Sequence, residues 1–283
     1  MTITRPVLRY YGGKWKFASW IISFFPPHRT YCEVFGGAGS VLLRKPNSHT
    51  EIYNDIDGEV VNLFRVLRDK QQSKELIRLL KLTPLARTEY EEAFEIVEDP
   101  VERARRTIIR SHMGFNSIAI NAGVTSGFRC SMRETGSYGE GWRNYPDKLI
   151  PVVDRLRRVI IENRSWQEIL RMYDRPETLF YLDPPYIPQT RSEWKGRLGK
   201  GAYTFEMFED DHQELLEALL DIQGMAIISG YHSDLYDDLL KDWDLVEKDT
   251  QGTANGDPRT EVLWLSPNMQ VARLPLLHLS DLD

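Results

Sequence analysis

Asp183-Pro184-Pro185-Tyr186 is the stretch whose residue types could most directly do chemistry. It follows an apolar run at 178–182 that reads as a central strand, and in open α/β sheets the carboxyl ends of strands form the ligand crevice. A proline carries a carbonyl but no N–H, so Pro184 offers only an acceptor. The following Pro185 restricts the backbone that presents it. Asp183 adds a second acceptor. Together they can hold both hydrogens of a planar amino group and draw its nitrogen lone pair out of conjugation. Tyr186 offers a flat face on which a base can stack, a contact worth about 1–3 kcal/mol. The plainer alternative is a strand ending in a proline-rich turn, with the tyrosine in the core.

A second signal is Glu33-Val-Phe-Gly-Gly-Ala-Gly-Ser40. Phe35, Gly36, Gly37 and Gly39 follow a first strand at 31–35, where glycines let a ligand approach the backbone closely. A dinucleotide fingerprint would need G-x-G-x-x-G. Gly37 and Gly39 satisfy its first two positions, but the third falls on Leu42. An acid at the end of the second strand (51–55) commonly binds ribose hydroxyls, and Asp55 stands there, ahead of Asp57. A third and weaker signal is Arg9-Tyr-Tyr-Gly-Gly-Lys14.

These residues need a scaffold that brings strand ends together. After the first strand, Ser40 to Lys45 reads as a short helix stopped by Pro46, and Val60 to Leu67 as an amphipathic helix. From about 70 to 113 the pattern is helical. Thr88 and Glu91 suggest a capping box and Pro100 a first helical turn. Residues 114–147 show no clear period. Alternation returns with a strand at 158–162, a helix capped by Ser165 and Glu168, and strands near 178–182, 225–229, 243–247 and 261–265 separated by helices near 208–221 and 233–240. The expected fold class is α/β: a doubly wound, mostly parallel sheet built from residues 1–67 and 148–283, with a mainly helical insertion at 68–147.

The 283 residues are 41% hydrophobic and 28% charged, with no apolar run long enough for a membrane span. The N-terminus has no apolar h-region. Cys32 and Cys130 lie too far apart in sequence for a zinc pattern or a disulfide framework, which fits a cytoplasmic protein with no metal. The net charge is −6, yet residues 101–158 carry 11 Lys/Arg against 5 Asp/Glu. Attraction is local under screening of about 8 Å, so an acidic body with one basic stretch can hold a polyanion.

Taken in order, the three signals and the insertion resemble the DNA adenine methylase (Dam-like) family, the α-class of amino-methyltransferases. That family has a Gly-Gly-Lys motif first, then Phe-x-Gly-x-Gly, a target-recognition insertion, and Asp-Pro-Pro-Tyr last. The resemblance covers most of the chain. It implies S-adenosylmethionine as cofactor and double-stranded DNA as partner, with methyl transfer to N6 of a flipped-out adenine by a monomer or weak dimer. By position, Tyr10 and Lys14 would contact the cofactor, although the family more often has tryptophan where Tyr10 stands. Phe35 to Gly39 would line its methionine part, Asp55 would bind its ribose, and Asn163 to Trp166 would border its adenine. Asp183 to Tyr186 would form the catalytic site. Alternatives are N4-cytosine, RNA or protein-glutamine methylation, or a DNA-binding remnant without activity. Expected DNA contacts are Arg9, Arg105, Arg106, Arg129, Arg133 and Arg143, the last three as base readers in the irregular segment. The insertion has Gly114-Phe-Asn-Ser117 and Gly127-Phe-Arg-Cys130 in place of the family's usual segment, so it does not support GATC recognition.

Overall fold

In a computed structural model of the chain, which describes residues 2–10, 12–115, 127–129, 135–190, 203–250 and 259–273, seven strands form one sheet in the order β3-β2-β1-β4-β5-β7-β6. They are β1 (Thr30–Glu33), β2 (Thr50–Asn54), β3 (Val159–Glu162), β4 (Thr178–Leu182), β5 (Met225–Gly230), β6 (Asp244–Thr250) and β7 (Arg259–Leu265). The first five pair in parallel, and β7 enters antiparallel between β5 and β6.

The central strands β1, β2, β4 and β5 are buried on both faces, as parallel strands between helices must be. Their side chains alternate: Tyr31, Tyr53, Leu179 and Tyr181 join one core, and Cys32, Ile52, Phe180 and Leu182 the other. Helices α8 (Trp166–Tyr173), α9 (Glu209–Leu220) and α10 (Asp234–Leu239) cover the second face. The first face carries α1 (Ala18–Ile22), α2 (Gly58–Arg68), α3 (Lys70–Leu82), α4 (Arg87–Glu92), α5 (Pro100–Met113), α6 (Thr135–Arg143) and α7 (Ile150–Leu156); α11 (Asn268–Arg273) follows β7. The helices within residues 68–147 thus share one continuous core with the sheet, through α5 packed on α2.

Local chemistry explains the helix starts. Asp57, Asp69 and Asp99 accept backbone N–H groups at the starts of α2, α3 and α5, and Pro100 occupies the first turn of α5. Ser165 and Glu168 form the expected capping box of α8. Three expectations need correction. Ser40 to Lys45 is a run of turns between Gly39 (φ +62°) and Pro46, closed by Leu43 N–H to Gly39 and by Arg44 and Lys45 N–H to Val41. Thr88 and Glu91 form no cap, since α4 starts after Ala86. The described part of 114–147 is not all irregular: it holds α6 and the start of a 3₁₀ turn at Pro146–Leu149.

Two local arrangements fix the sheet for its task. At the amino ends of the strands, buried Glu51 of β2 accepts Lys45 Nζ at 2.5 Å and both terminal guanidinium nitrogens of Arg155 on α7, at 2.5 and 2.8 Å. At the carboxyl ends, Gly36 donates to the Asn54 carbonyl at 2.7 Å. A Cβ on Gly36 would stand 2.2 Å from the Tyr53 ring and 2.8 Å from the Asn54 carbonyl oxygen.

Removing one partner of a buried ion cluster strands the others. Glu51→Ala is expected to cost about 3–5 kcal/mol in urea unfolding. Burial opposes the Glu51 charge, but Arg155 and Lys45 outweigh it and hold the carboxyl below its ordinary range. Its contribution should therefore be present at neutral pH and fade as acid protonates it, a fade absent from the variant. Gly36→Ala is expected to lose about 1–3 kcal/mol by overpacking; an unchanged thermal midpoint would show that Tyr53 can yield.

Candidate active site

The chain leaves β1 toward β2 on one side, while β4 lies on the other. The crevice forms where the order reverses, outside the carboxyl ends of β1 and β4. Tyr10, Lys14, Phe35, Asp55 and Asp183 line a cleft there, the position in which open α/β sheets hold their ligands. Gly36 and Gly37 also line it, and Gly39 shapes the same turn. At Gly37 (φ +47°) an added Cβ would stand 3.1 Å from the Tyr10 ring, so that ring lies against the glycine loop.

The four residues of Asp-Pro-Pro-Tyr are held by different elements. Asp183 Oδ1 takes a hydrogen bond from Ser229 Oγ of β5 at 2.8 Å and an ion pair from Lys14 Nζ at 2.9 Å. No bond to Oδ2 occurs among the described residues, which leaves that oxygen as an acceptor. Pro184 is buried and Pro185 half-buried. The Pro185 carbonyl meets His212 Nε2 of α9 at 2.9 Å, and His212 Nδ1 meets Tyr236 of α10 at 2.8 Å. Tyr186 donates its hydroxyl to Glu261 of β7. Lys14 Nζ stands 3.3 Å from the same Glu261 oxygen, 3.0 Å from the Gly12 carbonyl and 4.6 Å from the centre of the Tyr186 ring. Burial disfavours the Lys14 charge, but Asp183 and Glu261 outweigh it and raise the ammonium well above its ordinary value. Tyr186 is itself 8% exposed and does not line the cleft. Its ring sits between Lys14 and Tyr231, whose ring centre is 4.7 Å away.

Across the cleft, Asp55 accepts from Gly37 N–H at 2.7 Å through Oδ2 and from Asp57 N–H at 2.8 Å through Oδ1. Burial pushes its carboxyl up to about 6, against those hydrogen bonds. Asp57 caps α2 as well as lining the cleft. Glu33, raised by burial to about 8, accepts from the Tyr31 hydroxyl and the Leu42 N–H, each at 2.7 Å. From the stretch expected near the cofactor adenine, Asn163 binds the carbonyls of Asp55 and Ile56 at 2.8 and 3.1 Å. Trp166 does not line the cleft. As the first residue of α8, it packs with the second core, while half-exposed Ile56 takes a place on the cleft wall.

The arginines separate into two groups. Arg105 bonds Glu102, Glu89 and Thr83; Arg106 bonds Glu102 and the carbonyls of Glu92 and Glu95. Their side chains are only 16% and 15% exposed. Against the expectation of phosphate contact, both are committed to ion pairs that fasten α5 to α4 and the turn after it. Arg9 and Arg129 instead flank the ring of Tyr138 on α6, at 5.9 and 5.0 Å from its centre. The backbone of Arg9 is tied to Ser111 of α5 by two hydrogen bonds, 2.8 and 3.1 Å, and Tyr145 donates to the Val7 carbonyl. Arg143 is exposed at the end of α6. Arg133 lies outside the described residues.

Sequence reasoning missed Ser229, Glu261 and His212, because nothing in their local sequence marks them. It also missed Tyr203, Thr204 and Phe205, which line the cleft shortly before α9. Among the described residues, no group of three or more His, Cys, Asp or Glu could hold a metal, and no helix is long and apolar enough to cross a membrane.

Comparison with known proteins bears on this arrangement. The chain is similar to the DNA adenine methylase of Salmonella typhi, 24% identical over 201 residues, or 66% of this chain and 67% of the relative. It is also similar to the DNA adenine methylase of Escherichia coli (strain K12), 22% identical over 244 residues, 82% of each. A solved structure, described as a putative rRNA-methylase from Clostridium thermocellum, covers 94% of this chain and 100% of its own at 12% identity, with a TM-score of 0.37, too loose a likeness to carry an argument. Residues 10–253 match the family described as D12 class N6 adenine-specific DNA methyltransferase, a span that takes in the Gly-Gly-Lys, glycine-loop and Asp-Pro-Pro-Tyr motifs. With that match over most of its length, the chain belongs to the D12 class N6 adenine-specific DNA methyltransferase family.

Proposed function

We propose that this chain transfers a methyl group from S-adenosylmethionine to N6 of an adenine flipped out of duplex DNA. The observation that carries this reading is Asp183, pinned through Oδ1 by Ser229 and Lys14, with Oδ2 left as an acceptor beside a glycine-walled cleft. The cleft suits the cofactor: a Cβ at Gly37 would crowd the Tyr10 ring on its wall, and Asp55 stands opposite as an anionic acceptor. Phe35 to Gly39, Tyr10, Lys14 and Asp55 would hold it, with Ile56 taking the adenine side in place of Trp166. When bound, it supplies an electrophilic methyl group.

The protein's own residues do the rest by position and electrostatics. Base extrusion costs a few kcal/mol. Asp183 Oδ2 and the Pro184 carbonyl accept the two amino hydrogens, leaving the nitrogen lone pair available. His212 holds the Pro185 carbonyl, so the peptide that presents Pro184 does not drift. Residues 68–147 act as the target-recognition part, with Arg9 and Arg129 about Tyr138 as the strongest candidates for reading bases, ahead of Arg143 and Arg133.

Incorporation of labelled methyl groups into duplex DNA, followed by identification of the modified base, tests the reading; label found only in cytosine or only in RNA would overturn it. Asp183→Ala is expected to reduce transfer by at least about 100-fold, the scale for losing a preorganised electrostatic group, while calorimetry still detects cofactor binding. Turnover near the wild-type rate would defeat the mechanism.

Each Asp55 oxygen already accepts one N–H and retains a lone pair for a ribose hydroxyl. Because the Asp55 carboxyl is raised to about 6, cofactor affinity should be full above that pH and decline as pH falls through it. A pH-independent affinity between pH 5 and 8 would remove Asp55 from the cofactor site.

A further inference from the structure

We propose that Glu261 is the counter-ion of Lys14, and that by neutralising Lys14 it keeps the negative charge of Asp183 available to the reacting amino group. This inference rests on the methyl-transfer reading and adds to it a residue on β7, far in sequence from every motif.

The geometry is that of one cation between two anions. Lys14 Nζ is 2.9 Å from Asp183 Oδ1 and 3.3 Å from Glu261 Oε1, and the three side chains are only 6%, 18% and 6% exposed. The second donor on Glu261 Oε1 is the Tyr186 hydroxyl. Two donors converge on that one oxygen, and the Lys14 ammonium beside it favours the carboxylate, while burial pushes the Glu261 carboxyl up. With all three groups ionised, the cluster carries a net charge of −1. Without Glu261, Lys14 and Asp183 would form a closed, neutral pair.

That difference matters because of where charge develops. As the amino nitrogen forms its bond to the methyl carbon, the carbon–sulfur bond breaks with its electron pair remaining on sulfur. The nitrogen is cationic until one of its N–H protons leaves to solvent. A net negative cluster within hydrogen-bond reach stabilises that cation more than it stabilises the neutral amine, and such differential stabilisation is what lowers a barrier. A neutral Lys14–Asp183 pair would hold the amine in place equally well and offer little to the cation. Glu261 touches neither the base nor the cofactor in this scheme, so it is a positioning residue that acts through Lys14 and Tyr186.

The test is a double-mutant cycle on the full chain with duplex DNA, at saturating cofactor. Glu261→Gln keeps an oxygen for the Tyr186 hydroxyl but removes the charge. It is expected to lower kcat by about 100-fold, the scale for losing one preorganised electrostatic group, with KM for DNA and cofactor within about threefold of wild type, as for an interaction realised in the transition state. Combining it with Lys14→Met returns the cluster to −1, and the double variant should turn over at least about fivefold faster than Glu261→Gln alone, within the coupling measured between contacting residues. The same cycle read in urea midpoints of the cofactor-free protein should also be non-additive, and these midpoints show whether each variant folds. A double variant slowed by the product of the two single effects, or a Glu261→Gln that changes KM and leaves kcat intact, overturns the proposal. An inert wild-type protein would instead overturn the methyl-transfer reading, and this proposal with it.

Discussion

A lysine ammonium enclosed between two carboxylates is the interaction on which the rest of the site depends. An isolated buried ion costs several kcal/mol, and attraction compensates only when the partners are close and well placed. Lys14 meets that condition because three remote stretches converge on it: the N-terminal segment, the end of β4, and β7. The antiparallel β7, inserted between β5 and β6, brings its first residues, and with them Glu261, to the carboxyl end of β5. Asp183 is then held by an ion pair from one side and by Ser229 of β5 from the other, and the tetrapeptide it begins has little freedom left.

The cleft opposite follows a different rule. There the backbone does the holding, and side chains hold the backbone. Asp55 fixes Gly37, Tyr53 donates to the Gly37 carbonyl at 2.6 Å, and Asn54 bridges the Val34 and Arg164 carbonyls at 2.9 and 3.1 Å. The loop is therefore shaped by the ends of β2 and β3 as much as by its own glycines. Burial of Asp55 makes its charge costly, and its two backbone hydrogen bonds only partly offset that cost, which is why its carboxyl titrates high. Strain of this kind is common where a site is prepared for a ligand that completes it.

Much of this was legible in the sequence where the signal is local. The apolar run before Asp183, the glycines after β1, the acid after β2 and the Ser165–Glu168 box each carry their own period or spacing, and all four occur where the sequence placed them. What escaped notice depends on tertiary convergence. Glu261 sits beside the apolar run Val262–Leu265 and could have been any solvated strand residue. His212 looks like one polar position among many on α9, yet it is fully buried. Arg105 and Arg106 suggested a phosphate-facing helix because composition records charge but not partners; Glu89, Glu95 and Glu102 were equally visible, but only folding brings them together. Trp166 was assigned by position in a motif, and the helix that starts at that residue carries its ring to the other core.

The backbone knot between Arg9 and Ser111, with Tyr145 on the Val7 carbonyl, has a consequence for inheritance and for engineering. It makes residues 7–9 a shared part, leading straight into Tyr10 of the cleft while bonded to α5 and to Tyr145 after α6. A chimera that exchanged residues 68–147 alone with a relative would import one half of this joint and leave its counterpart behind. The natural unit of exchange is therefore discontinuous: the insertion together with the short N-terminal stretch that threads beneath it.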